Sequence, residues 1–323
     1  MELKLDLKDK KILFELDKDS SSYLSIIAKK VKISKEVVFH RINRLVKEKV
    51  LLKFNTVPAT YRFGLTAYKV YLRLSNISKE NFDELIDYLI KYEGVFWIGV
   101  CKGRWDLIFG MWAKDIESFF VMHDKILDKF SKYIQEKELS ISRENLQYNR
   151  RWFYNDTLDP LEFNFGEKEE KVNLDEKDQK ILNLLVDNSR IKIIDISEKV
   201  KLNPKVIGYR IKEMEKKGII KGYKTLLNSS IIGFCTCKAF IFFKNINETQ
   251  KKEFIEYCKR LPNSINIVIT FAPWDLEIMF ETKTYEEYFK IMDDIKERFK
   301  NIIKIYDSVL ISSEPKQRFL SSQ

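Results

Sequence analysis

Two basic stretches hold most of the chemistry this sequence can offer. Residues 29–53 (KKVKISKEVVFHRINRLVKEKVLLK) contain nine Lys/Arg and two Glu, and residues 198–222 (EKVKLNPKVIGYRIKEMEKKGIIKG) contain eight and three. Their charges of +7 and +5 make +12 against +10 for all 323 residues, which leaves the remainder near −2. Lys and Arg gathered in this way neutralise phosphates and release counterions, so the chemistry on offer is a polyanion contact. An isolated basic run is usually a solvated helix face. Here the charge gathers twice on the same pattern, which favours contact.

Other chemistries find little support. The four cysteines (Cys101, Cys235, Cys237, Cys258) form no CxxC pair and there are only two histidines, His40 and His123. A tetrahedral zinc set at recognisable spacing is therefore missing, and buried reduced thiols are expected. His123 reads as a helix-surface residue. Ten glycines in the whole chain leave no Gly-rich phosphate loop. No general acid/base pair or nucleophilic triad stands out, so neither an enzyme nor a cofactor is expected. No run of about 18 apolar residues offers a membrane span, and a start charged from its second residue does not read as a secretory signal. A cytoplasmic protein is the expectation.

The elements that position the basic stretches occur twice. Residues 5–16 (LDLKDKKILFEL) match 174–185 (LDEKDQKILNLL) at eight of twelve positions, where average residue usage would give about one. The same offset of 169 pairs Arg41 with Arg210, Gly64 with Gly233, and Trp105-Asp106-Leu107 with Trp274-Asp275-Leu276. In each unit the spacing predicts three short helices. Asp6 caps the first, over 7–17, with Ile12, Leu13 and Leu16 inward. Leu24, Ile27, Ala28 and Val31 mark the second. Ser34 caps the third, with Val38, Ile42 and Leu45 inside. In the second unit Asn203 is the cap, Pro204 takes the first helical position, and Ile207, Ile211 and Met214 face in.

Three helices ending in a basic one form a helix-turn-helix signature. On the first third helix the outward residues Lys35, Glu36, Phe39, His40 and Asn43 would reach base edges. On the second these are Lys205, Gly208, Tyr209 and Lys212. Arg41, Arg44, Arg210, Lys29, Lys30, Lys47 and Lys199 would hold phosphates.

After each basic helix the pattern changes. Tyr68, Val70, Leu72 and Leu74 alternate with Lys69, Tyr71 and Arg73, a half-buried strand. A helix capped by Ser78, strands near 95–101 and 105–113, a helix over 116–130 and a strand over 133–142 complete a βαββαβ order, repeated from 235 to 312. The fold class is α+β: two winged helix-turn-helix domains, each followed by a ferredoxin-like βαββαβ domain. The expected boundaries are 1–60 and 61–150 for the first unit, a linker over 151–172, then 173–229 and 230–323. Pro160, Gly166 and the charge run 167–171 signal the linker, although Trp152, Phe153, Tyr154, Phe163 and Phe165 argue that part of it packs. Residues 147–173 have no counterpart after the second unit beyond a short tail.

LDxKDxKIL at both unit starts, LNPKVIGYRIKEMEKKGIIKGY at 202–223, and the Gly103-Arg104-Trp105-Asp106 turn together resemble the Lrp/AsnC family of transcriptional regulators. The likeness covers the chain twice, as a tandem fusion. It implies double-stranded DNA as partner for the first part of each unit. For the second part it implies assembly into a homodimer or larger homo-oligomer and sensing of a small molecule such as an amino acid. Gly103, Asp106 and Asp275 are the effector-binding candidates. The second turn reads Ala272-Pro273-Trp274-Asp275, so the glycine that could take a positive φ is gone there. Both aspartates also have a structural reading, as turn carboxylates bonding nearby amides. The first recognition helix carries bulky Phe39 and His40, which points to a different sequence preference from the second. Two rivals share the pattern. Siroheme decarboxylases resemble this architecture but rely on histidines that the second parts here lack, apart from His123. A sequence-tolerant architectural DNA binder would show the same charge.

Overall fold

The computed structural model describes residues 3–154, 160–166 and 171–320. The first unit opens with α1 (Leu7–Lys18), α2 (Leu24–Val31) and α3 (Lys35–Lys47) and continues into strand β1 (Leu51–Pro58). The expected caps are in place. Asp6 accepts from the Asp9 amide at 2.8 Å and Ser34 from the Val37 amide at 3.3 Å, each satisfying a helix-start donor. Ile12, Leu13, Leu16, Val38, Ile42 and Leu45 close on one another as the domain core. The turn between α2 and α3 passes through Lys32 at φ 57°, and its counterpart Lys201 has the same angle.

The ferredoxin-like part follows as β2 (Thr66–Leu74), α4 (Lys79–Lys91), β3 (Val95–Gly103), β4 (Leu107–Ala113), α5 (Ile116–Phe130) and β5 (Ile134–Tyr148), with a short strand β6 (Glu162–Phe165) after it. The second unit repeats the series. Helices α6 (Glu176–Asp187), α7 (Ile193–Val200) and α8 (Pro204–Lys216) lead into β7 (Ile220–Leu227). Then come β8 (Cys235–Phe243), α9 (Glu248–Arg260), β9 (Ser264–Phe271), β10 (Leu276–Thr282), α10 (Tyr285–Arg298) and β11 (Ile303–Gln317).

The units interlock at two levels. β1 and β7 pair antiparallel, with Asn55 opposite Lys224, so one ribbon joins the two helix-turn-helix domains. Below it the strand order is β2-β4-β3-β11-β8-β10-β9-β5-β6, and β5 also pairs with β2. The first eight strands therefore close on themselves. β5 serves β2 with its first half and β9 with its second, while β11 does the same for β8 and β3. Closing a sheet removes its edges. Helices α4 and α5 cover one half of this barrel, α9 and α10 the other.

Closure overturns the expectation of a half-buried β2. Tyr68, Val70 and Leu72 face the helices as expected, but Lys69 and Tyr71 on the other face are buried as well. They point into the barrel, where the second unit's sheet covers them. Tyr71, Trp105, Phe240 and Trp274 pack together there, with Tyr71 edge-on to Trp274 at 4.7 Å between centroids.

One further expectation needs correction. His123 is buried, not on the surface, because it lies on the same α5 stripe as Phe119, Ile126 and Phe130. Its ring sits between Phe119 and Phe120, with Nδ1 2.7 Å from Asp124. β5 ends at Tyr148 and β11 at Gln317, again 169 apart, so the short tail is the counterpart of the region after 147, as expected. Within the expected linker, β6 pairs with the end of β5, and Phe153, Phe163 and Phe165 are buried in the helix-turn-helix cores. The charge run, apart from Lys171, lies outside the described residues.

The thiols are free. Cys101, Cys237 and Cys258 are buried and Cys235 is half-buried, and burial pushes the Cys101 and Cys237 thiols up to about 12. Among the described residues no group of His, Cys, Asp and Glu is placed to hold a metal, and no helix is long and apolar enough to cross a membrane.

Candidate nucleic-acid interface

Each third helix buries one stripe and presents the other. In α3, Val38, Ile42 and Leu45 are buried, whereas Ser34, Lys35, Phe39, His40, Asn43, Arg44 and Lys47 are exposed. In α8, Ile207 and Met214 are buried, while Asn203, Lys205, Tyr209 and Lys212 are exposed. Phe39 at 49% and Tyr209 at 65% exposure are large rings held out from the body. No core role accounts for either. A helix start with free donors, lysines around it and an aromatic one turn on is an arrangement that fits a groove edge lined by phosphates.

The arginines have acidic partners within their own domains. Arg41 Nη1 donates to Asp6 Oδ2 at 2.7 Å and Asp9 Oδ1 at 2.8 Å, and Arg44 Nη2 reaches Asp9 Oδ2 at 2.6 Å. Arg210 Nη1 repeats the first pair at Asp175 and Asp178, at 2.7 and 2.8 Å. The Asp178 amide and the Arg210 guanidinium hold Asp175 below the usual carboxylate range, and Asp178 and Asp175 in turn raise Arg210. These guanidiniums fasten the recognition helix to the start of the first helix. The same bonds explain the LDxKD pattern. Its first Asp caps the first helix, both Asp residues hold the arginine, and its Lys (Lys8 or Lys177) donates to the last carbonyl of the second helix at 2.8 or 2.9 Å. Sequence reasoning read Asp6 as the cap but missed the hold on the arginine and the lysine bond. The conserved spacing of an acid pair 32 and 35 residues before an arginine, in both copies, was the available signal.

The effector candidates sit in two equivalent turns. Asp106 Oδ2 accepts the Leu74 amide and Asp275 Oδ2 the Phe243 amide, each at 2.8 Å, so each carboxylate ties its turn to the neighbouring strand of its own unit. Gly103 has φ 123°, and a Cβ there would meet the Ser308 carbonyl of β11 at 3.0 Å. The glycine thus permits close approach of the second unit's strand, and Arg104 secures it through Asp307 at 2.8 Å.

Two exposed basic helices, fastened to a shared ribbon above a closed barrel, define a helix-turn-helix protein built as a dimer within one chain. A family model described as winged helix-turn-helix DNA-binding matches residues 5–51 and 174–221. An HTH-type transcriptional regulator of Pyrococcus furiosus is 31% identical over 116 residues, 35% of this chain and 76% of its own length. The leucine-responsive regulatory protein of Haemophilus influenzae is 46% identical over 66 residues, 20% of this chain and 40% of its own. Among solved structures, the siroheme decarboxylase NirDL shares the fold over 98% of this chain and 94% of its own, with a TM-score of 0.63 at 11% identity. The chain belongs to the Lrp/AsnC family of helix-turn-helix regulators, with two family units in tandem.

Proposed function

We propose that this chain is a sequence-specific DNA-binding transcriptional regulator whose two unlike recognition helices read an asymmetric duplex site. The observation that carries this reading is the outward display of Lys35, Phe39, His40 and Asn43 on α3 and of Lys205, Tyr209 and Lys212 on α8, above domains joined by one antiparallel ribbon. Such domains meet half-sites about one duplex turn, roughly 34 Å, apart. His40 and Asn43 read one half-site and Lys205 and Lys212 the other, while the flanking lysines hold phosphates. Further assembly into a homodimer or larger oligomer belongs to the same reading, as does work in the cytoplasm. So does modulation by an amino acid whose ammonium meets Asp106 beside Gly103, with Asp275 as the weaker counterpart.

Competition between the protein's own upstream region and random duplex tests specificity. A preference of at least about 10³-fold is expected of a regulator. A ratio near one would replace this reading with architectural packaging.

The side-chain roles have their own test. Lys205→Ala and Lys212→Ala should weaken binding, with stability unchanged within about 0.5 kcal/mol, as for surface positions. Arg41→Ala and Arg210→Ala should lower affinity and thermal midpoint together. If the arginine variants lose affinity at full stability, those side chains contact DNA after all.

The fold shared with a siroheme decarboxylase raises an enzymatic alternative, but the residues do not fit a tetrapyrrole. The cavity between ribbon and barrel is about 120 Å³, below the roughly 300–1,000 Å³ of sites for drug-sized ligands. Neither histidine lines it. The chain is therefore read as a regulator and not as an enzyme of that kind.

A further inference from the structure

The cavity lies on the axis that relates the two units. Asn55 and Lys224, 169 apart and opposite each other in the ribbon, line it from above, and Lys69 and Lys238, also 169 apart, line it from the barrel. Around this axis the walls have diverged. Arg150 lines it where the other unit has Phe319, and Glu281, behind Arg150, stands where the other unit has the lining Trp112. Arg150 binds Glu281 at 2.8 Å and Asp17 at 2.9 Å, which makes one wall polar. Opposite it, Trp112 stacks on Phe96 at 4.4 Å, and Phe319 lies 5.9 Å from Phe165. A pocket on the axis of two identical units would be symmetric. Fusion into one chain has let this one acquire a polar side and an aromatic side.

Lys224 has no counter-ion in it, and Asn55 Oδ1 makes no hydrogen bond, as is also true of Tyr148 Oη and Trp112 Nε1 in the same lining. Lys224 is 7% exposed, and its Nζ donates to the Tyr148 carbonyl at 2.9 Å with no carboxylate within 4.0 Å among the described residues. Burial pushes this ammonium down to about 8, against the pull of Asp17 and Glu281. Asn55 is 2% exposed and its Oδ1 accepts no hydrogen bond. A buried cation and a buried acceptor left open are each unfavourable, and a ligand with an anion and a hydrogen-bond donor would satisfy both. The volume is slightly below the 150 Å³ that admits benzene.

We propose that this cavity binds one small 2-hydroxy monocarboxylate per chain, with its carboxylate on Lys224 and its hydroxyl donating to Asn55 Oδ1. Its apolar end rests against Trp112 and Phe319. Among the described lining residues Glu314 is the one carboxylate, bonded by Trp97 at 2.6 Å, against Lys69, Lys224, Lys238, Arg150 and Arg318, so an amino acid's ammonium is disfavoured. Inorganic phosphate is disfavoured because it carries more charge than one open ammonium answers and leaves the aromatic wall unused. The inference adds a ligand class to the effector part of the proposed function, and it rests on that reading only for its consequence at DNA.

The test uses the full chain without DNA, so its outcome is independent of DNA binding. Titration with 2-hydroxybutyrate should change the fluorescence of the lining Trp97 and Trp112 saturably, with a calorimetric stoichiometry of one. Butyrate and 2-aminobutyrate should bind about tenfold more weakly, and 2-hydroxybutyramide about a hundredfold more weakly. Lys224→Met should abolish binding, whereas the exposed-lysine variant Lys290→Met should retain it. Asn55→Leu should make butyrate and 2-hydroxybutyrate equal. Should Lys224→Met fail to fold, the ligand series on the native chain still decides. No saturable response at 10 mM, or an equal response to the amide, overturns the proposal, as does tighter binding of phosphate or of 2-aminobutyrate.

Discussion

Raising salt from 50 to 200 mM should weaken binding to the protein's own upstream duplex by about 10³–10⁵-fold, the loss expected for about 6–10 phosphate contacts. The number of contacts follows from what remains exposed once the arginines are assigned to holding the helices. Lys29, Lys30, Lys35 and Lys47 in the first unit and Lys199, Lys205, Lys212 and Lys216 in the second are all exposed, around two helix starts. The rest of the chain is near −2, so these two stretches hold the excess of positive charge. A plot of log affinity against log salt should fall with a slope of about −5 to −9. A flat plot would mean that neither face meets phosphate, and the regulator reading would fail with it.

Replacing Glu277 with Ala should destabilise the protein by about 3–5 kcal/mol, the cost of breaking a buried ion pair from one side. Glu277 Oε2 accepts from Lys69 at 2.6 Å and Lys238 at 2.8 Å, and Tyr71 donates to its other oxygen, all inside the barrel. Burial by itself would raise this carboxyl, but Lys238 and Lys69 hold it down at about 2. One carboxylate serves two ammoniums, so burial still pulls Lys69 below its ordinary value.

The folded-state value of Glu277 lies below its ordinary 4.5. Its stabilisation is therefore complete above that pH and is lost as pH falls towards about 2. Glu277→Gln should cost less than Glu277→Ala, because it keeps an acceptor. The triple variant Lys69→Met, Glu277→Leu, Lys238→Met should recover most of the loss, since a well-packed apolar substitute often matches a buried ion pair. Urea unfolding of the native protein and the three variants separates these outcomes. Equal midpoints for native and Glu277→Ala protein would show that the cluster does not hold the two sheets together.

Local pattern was enough for the helices, their caps and the duplicated order of elements. Asp6, Ser34 and Asn203 cap where their side chains can reach an amide two or three residues on, and Val38, Ile42 and Leu45 share a stripe by helical geometry alone. Charge was legible for the same reason, because a solvated lysine face needs no partner to be recognised. What escaped were groups whose partners are distant in sequence. Arg41 and Asp9 are 32 residues apart and Lys69 and Glu277 are 208 apart, and no periodicity records such a meeting. His123 fell in the core because the apolar stripe of α5 tolerates one ring nitrogen paired with its neighbour Asp124.

The sequence by itself determined that there are two equivalent units, that each has a basic third helix, and that the two readers differ in side chains. Only the tertiary structure decided that the polar face of β2 would be an interior. A strand alternating Tyr68, Lys69, Val70 and Tyr71 has a wet side when it stands alone. When β5 and β11 each bridge both units, the sheet closes and that side faces the other unit's sheet. Lys69 then needs Glu277, which only the second unit supplies. The same closure set Asn55 against Lys224 and opened an asymmetric cavity between them, because equivalent positions meet on an axis only when both units fold together.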